Sequence, residues 1–419
     1  LLITPVVIYV FLPFYLRLDV TTAYEYLEKR FGLNVRLLAS GLFISKRLFW
    51  MALVALAPSL TLSTFTGLKV EYCILIIGVV ATIYTGLGGM SAVIWTDAVQ
   101  FVILMLGQVL IFIFVIMGVD GGLGEIWRMG LAEHKAWASF EFDLSQLTFW
   151  TMLIAGAVLA LSDLGTDQLM VQRLMTTRDE RHARQSLWFN AIFKFPAMVL
   201  LLGIGVALYC FYQVNPHLLE LAPEDYDKIL PYFVVTQLPT GISGIVIAAI
   251  FAAAMSSFDS GLNCLVAAFT VDWYKRLIHP QETDRAYLIR AKLMTFALGL
   301  AVAILSILIY EMGIKSIIDT SNTYLGFFGG GLVGIFLLGI LTRRAKALPT
   351  VLAAILSVAL VVLLDLHQSE AEGYILHPYM YGVVSCGLTM FLGYIGSLIG
   401  PELPYEKLHG YTLAKINKR

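Results

Sequence analysis

The sequence predicts an all-α polytopic membrane protein, and three observations lead there. Of the 419 residues, 59% are hydrophobic and only 14% charged, which is too little polar surface for a water-soluble chain of this length. Hydropathy marks eleven apolar stretches long enough to cross the hydrocarbon core as helices. Lys and Arg in the connections fall on alternate sides, twenty against five. An asymmetry of that size is what the positive-inside rule gives when spans are counted correctly.

The spans run over 1–16, 35–64, 71–90, 92–118, 146–172, 186–213, 240–273, 288–312, 316–342, 347–366 and 376–399. One side collects the basic connections: Arg17 to Arg36, Arg173 to Arg184, Lys275 to Lys292, Arg343 to Lys346, and the tail after Pro401. The other side holds Lys69, Arg128, Lys135, Lys228 and Lys315. Lys46, Arg47 and Lys194 fall within spans. The basic side is expected to be cytoplasmic, with the C-terminus on it, in a plasma or cell inner membrane. The outer loop 214–235 carries Glu220, Glu224, Asp225 and Asp227, which suits that side. The four cysteines sit in apolar stretches without CxxC spacing and read as packed small residues. The net charge of −1 says nothing about partners, and with no basic patch beyond loop clusters nucleic acid is not indicated. The partner these features imply is the lipid bilayer.

Polar residues inside the spans carry the functional signal. In 240–273, Ser256, Asp259, Ser260 and Asn263 recur at i, i+3, i+4 and i+7, which puts them on one helical face beside Ala253 and Ser257. Such a stripe can be a polar helix–helix contact. Four oxygen-bearing side chains, one of them ionisable, fit the lining of a small hard cation better. Asp97, beside Thr96 and Gln100, opens the fourth span. It reads either as a site residue or as a solvated helix N-terminus, after a turn that Gly86, Gly88 and Gly89 would ease. Asp163 and Asp167 flank Gly165 in the fifth span, a pattern expected of a broken helix lining a cavity. The competing reading pairs Asp167 with Arg173 at the membrane edge. Lys194 either snorkels to the interface, bonds a solute or neutralises an Asp. Asp319 to Asn322, followed by Gly326 and Gly329 to Gly331, suggest irregular backbone at a cavity.

Enzyme chemistry finds no support. Gly241 to Gly244 read GISG, but Ser243 lies at a helix start, and all seven histidines fall in loops or at span edges, so the serine has no base. There is no GxGD, HExxH or P-loop, and no cofactor is implied.

Three segments in order, WTDAVQF after GLGGMSAV, then TDQLMVQR, then AAAMSSFDSGLN…FTVDWYKR, resemble the sodium:solute symporter family. FLPFYLRLDVTTAYEYLEKRF resembles its iodide, multivitamin and monocarboxylate branch. The likeness runs over nearly the whole chain. It implies a leucine-transporter-type five-plus-five inverted repeat and sodium-driven alternating access. Residues 1–118 would be a first repeat without its opening helix, 146–342 the second repeat, 347–399 two additional spans and 400–419 a cytoplasmic tail. The chain, which opens without Met, is expected to be a fragment lacking a discontinuous helix that supplies half of the principal sodium site. The remaining half would be the Ala253 carbonyl with the Ser256 and Ser257 hydroxyls. A second sodium site would use Asp97 with Ser256 and Ser260. Asp259 stands where those members often carry a small hydroxyl residue, a departure that could strengthen, relocate or protonate that site. Substrate contacts carry over to Lys194 and Asn322, with Asp163 and Asp167 added from the residues themselves. Asp163 replaces an aromatic gate of the sugar-transporting members, and Leu164 an adjacent Trp. The function implied is import of a small polar organic solute, a monocarboxylate or vitamin-like anion first and a sugar or sialic-acid-like solute second. A membrane sensor module of a larger protein is the alternative outside transport.

Overall fold

The computed structural model describes residues 2–18, 20–132, 139–221, 228–313, 316–368, 373–399, 401, 404, 408 and 410–413, with backbone only at Leu18 and 87–94. Among them are helices and connecting turns. Helix α1 covers residues 4–18 and contains a π turn at Val7–Phe11. It is followed by α2 (Glu25–Phe31), α3 (Leu33–Thr66), α4 (Val70–Met117) and α5 (Gly122–Ala132). Next come α6 (Phe149–Leu161), a π turn (Ser162–Thr166), α7 (Gln168–Met175), α8 (Glu180–Val214) and α9 (Ile229–Gln237). The chain continues with α10 (Thr240–Ala268, wound on as a π helix to Ile278), α11 (Asp284–Glu311), α12 (Ile317–Leu341), α13 (Ala347–His367) and α14 (Tyr381–Ser397). Helix starts are capped where the sequence offers an acceptor. Thr148, Asp179, Thr283 and Ser316 each take a backbone N–H from the first turn of α6, α8, α11 and α12.

Nine described helices are long and apolar enough to span, and two shorter apolar ones, Thr4–Arg17 and Val70–Gly86, complete the expected eleven. Calls on Glu224, Asp225, Asp227, Lys135 and Lys315 fall outside the described residues.

One correction concerns the expected turn at Gly86 to Gly89. Helical hydrogen bonding runs without interruption over Val70–Met117, 48 residues, which if straight would measure about 72 Å. Its two halves have different neighbours. The first half runs antiparallel to α11, since Gly78 meets Ala303 and Gly86 meets Phe296. The second half runs antiparallel to α10, with Asp97 at Ser260 and Gly107 at Ala249. Helices α10 and α11 are joined by a short connection and share the cluster of Phe258, Leu262, Leu265 and Val302. The two halves of α4 therefore pack against different helices, the first against α11 and the second against α10.

The second correction concerns Gly326 and Gly329 to Gly331, which do not mark irregular backbone: α12 is an unbroken helix. The glycines let neighbours come close. A Cβ at Gly330 would overlap the Gly382 carbonyl of α14, and one at Gly329 would press on Ser162 Oγ. Small residues at crossing points are the usual means of close helix approach in a bilayer.

Candidate functional site

Helix α6 breaks in mid-span, as Gly165 between two aspartates predicted. Asp167 is extended (φ −78°, ψ 129°) and caps α7 by accepting from the Leu169 N–H at 3.0 Å. Backbone carbonyls freed by the break need partners in a bilayer. Tyr15 donates to the Gly165 carbonyl, Tyr24 to the Thr166 carbonyl and Thr166 Oγ1 to the Ser162 carbonyl. The Gln168 side chain fixes the start of α7 by accepting from Ala23 N–H (2.7 Å) and donating to the Thr21 carbonyl (3.3 Å).

Two adjacent cations of α3 face this break. The Lys46 ammonium, with only 3% of its side chain exposed, donates to Ser162 Oγ (2.9 Å), Asp163 Oδ1 (2.7 Å) and Asp167 Oδ2 (3.4 Å). Arg47 donates to Asp167 Oδ1 at 2.7 Å. Sequence reasoning missed both cations, and it paired Asp167 with the wrong arginine in its competing reading. Their signal was visible, because a charged residue inside a span is a site hypothesis by default. Asp163 is the open member of the cluster, 53% exposed. One turn further along α3, Phe49 stacks on Tyr324 of α12, with centroids 4.5 Å apart and planes 10° apart.

The second cluster joins α4, α7 and α10. Asp97 is a mid-helix residue here and not a solvated helix N-terminus. Ser260 Oγ donates to Asp97 Oδ2 at 3.0 Å, and Arg173 donates to the same carboxylate oxygen and to Ser260 Oγ (2.8 Å). Asp97 and Ser260 therefore meet as expected, with a guanidinium between them that the sequence reading had left in a loop. Asp259 is fully buried; its Oδ1 accepts from the Ser260 N–H, and its Oδ2 has no hydrogen-bond partner among the described residues. Ser256 Oγ donates to the Ala253 carbonyl at 2.9 Å, and Ala253, Ser256 and Ser257 remain partly open.

The remaining expectations are scattered. Lys194 stands on an exposed face of α8, within electrostatic reach of Asp163. Asn322 lies beside Tyr379, seven residues and about 10 Å along α12 from Gly329, so the structure does not bring it to the Lys46 cluster. A cavity of about 260 Å³ between the first half of α4 and α11 is lined by apolar side chains and Thr82, whose hydroxyl is spent on the Gly78 carbonyl. It offers a polar solute nothing. A third ionic group closes the bundle end that carries the basic connections. Arg36 of α3 donates to Asp272 at the end of α10 and to Glu28 of α2, while Ser40 and Thr22 also donate to Asp272.

A broken helix with buried charge at its break, and a hydroxyl stripe on a neighbouring helix, are features found in helical membrane transporters. The sodium:solute symporter family model matches residues 1–356. The chain belongs to the sodium:solute symporter family, whose members are transporters and not enzymes. It is 33% identical over 397 residues to the sodium/sialic acid symporter NanT of Aliivibrio fischeri, covering 94% of this chain and 77% of that one. It is 34% identical to the sodium/sialic acid symporter SiaT of Proteus mirabilis, covering 94% and 78%. A solved substrate-bound, outward-open structure of a Na+-coupled sialic acid symporter superimposes with a TM-score of 0.85 at 32% identity, covering 96% and 82%. The fold is thus the leucine-transporter type, and the chain is a multi-pass, sodium-coupled symporter with Na+ as its coupling ion.

Proposed function

We propose that the protein imports a small acidic, sugar-like solute of the sialic acid class down the inward sodium gradient. The observation that carries the solute class is the pair of cations, Lys46 and Arg47, held at the break between α6 and α7. Burying charge at that depth costs several kcal/mol per group, and an acidic solute makes use of it. The relatives named as sialic acid symporters favour this class over a monocarboxylate or vitamin-like anion.

Sodium is assigned to the Ala253 carbonyl with the Ser256 and Ser257 hydroxyls, and a second position to Asp97 with Ser256 and Ser260. Neutral oxygen ligands on a partly open helix face support the first assignment, and the Asp97 carboxylate, held by the buried Ser260 hydroxyl, supports the second. In this reading the basic end is cytoplasmic, 1–118 and 146–342 are the two repeats, and the membrane potential adds ~2.3 kcal/mol per charge per 100 mV. The test is uptake of labelled N-acetylneuraminic acid by full-length protein in liposomes. Accumulation should require an inward sodium gradient and exceed that of pyruvate or pantothenate. Equal uptake with potassium in place of sodium, or a preference for pyruvate, would sink the reading.

A further inference from the structure

We propose that Asp163 is a built-in stand-in for the solute's carboxylate: it occupies the Lys46 ammonium until an acidic solute displaces it, which makes Lys46 the anion anchor. The inference rests on the acidic-solute reading above and names the group that does the recognising. An ammonium has three protons to give, and all three of Lys46 have acceptors in Ser162, Asp163 and Asp167. An incoming carboxylate must therefore replace one of them. Ser162 is fully buried, and Asp167 is 3% exposed and pinned by Arg47 and by its capping bond to Leu169. Asp163 is 53% exposed and holds Lys46 through one oxygen.

Asp163 can leave without disturbing the fold around it. It sits in the π turn, outside the regular turns of α6 and α7. The freed carbonyls on either side are held by Tyr15, Tyr24 and Thr166, whose hydroxyls donate to backbone and not to the Asp163 carboxylate. The displaced carboxylate moves into space to which it is already half open, and it remains within reach of the Lys194 charge. Lys46 itself is confined, because α12 passes it with only Gly329 between. Its ammonium thus stays at the break whichever carboxylate it holds.

This exchange accounts for selectivity. A neutral analogue cannot replace a carboxylate on a buried ammonium, since the loss of a charge-assisted hydrogen bond is not made good by a neutral acceptor. Asp163 consequently competes only with a solute that brings its own carboxylate, and a neutral solute leaves it on Lys46.

The test uses the full-length protein in detergent and formate as the probe. In Asp163→Ala, Lys46 lacks its carboxylate, and formate restores one in the space vacated. At roughly 100 mM, sodium formate should raise the melting temperature of the variant and not that of the wild type, as a ligand that binds only the native state does. Equal sodium chloride and neutral formamide are the controls. No formate shift, or an equal one from formamide, would overturn the proposal. Should Asp163→Ala fail to fold, Asp163→Asn keeps the volume. It should bind N-acetylneuraminic acid about tenfold more tightly than the wild type, because the internal competitor is gone, with affinity for N-acetylmannosamine unchanged. Equal weakening of both would make Asp163 a direct acceptor for solute hydroxyls and end the stand-in idea. Formate rescue without sodium-dependent uptake by the wild type would discard the transport reading and leave the Lys46 receptor standing.

Discussion

Arg173→Gln should make the transporter respond to less sodium. The guanidinium bonds Asp97 and Ser260 together, two of the groups assigned to the second sodium position, so an ion arriving there must displace a tethered cation. The side chains are 37% and 20% exposed, so the pair is screened and worth less than a fully buried one. Charge-assisted bonds at such a half-open site contribute about 1–2 kcal/mol. Removing that competition should lower the sodium concentration for half-maximal uptake by about 5- to 30-fold, at tenfold per 1.4 kcal/mol. The assay is a sodium titration of uptake by reconstituted protein, with melting temperature measured in parallel. An unchanged or higher half-saturating sodium concentration in a stable variant would refute the reasoning and make Arg173 a structural clasp.

Asp259→Asn should leave the protein folded and alter its sodium activation, whereas Ser257→Ala should only raise the half-saturating sodium concentration; unchanged sodium and pH profiles in Asp259→Asn would make Asp259 a helix contact. Arg36→Met should cost about 3–5 kcal/mol of stability in a denaturant titration, because it leaves Asp272, fully buried, without its cation. A loss below 1 kcal/mol would show that the pair is hydrated. Gly330→Ala should lower stability by about 1–3 kcal/mol, since its Cβ overlaps the Gly382 carbonyl. Gly387→Ala, which meets nothing within 4 Å, is the control and should be near neutral.

What could be read from the sequence was whatever lies on one element. The hydroxyl stripe on α10 follows from helical spacing alone, and the break at 162–167 from a glycine between two acids. The span count followed from apolar length and the alternation of basic connections. Partnerships between elements could not be read this way. Lys46 finds Asp163 across 117 residues and Asp167 across 121, and Arg173 finds Asp97 across 76. No periodicity reports such distances. Arg173 was misplaced for a physical reason: α7 carries it inward from the basic connection, so a residue counted as loop by hydropathy reaches the ion stripe. The glycines of α12 misled because clustered glycine serves both irregular backbone and close helix packing. Only the neighbouring Gly382 and Ser162 decide between the two.

The two clusters share one short rigid element. Asp167, the cap of α7, holds Lys46 and Arg47, and Arg173, six residues on, holds Asp97 and Ser260. Six residues of helix are about 9 Å of stiff backbone, anchored at its start by Gln168 to the turn before α2. A change in how Asp167 is held therefore shifts Arg173 against Ser260 without any intervening flexible segment. Were a solute held at Lys46 and an ion at Asp97, as proposed above, coupling by this route would be reciprocal, each site changing the other through the hold on α7. Coupling between sites requires an element with two arrangements that both sites bias, and α7, with an ionic clasp at each end, meets the structural half of that requirement.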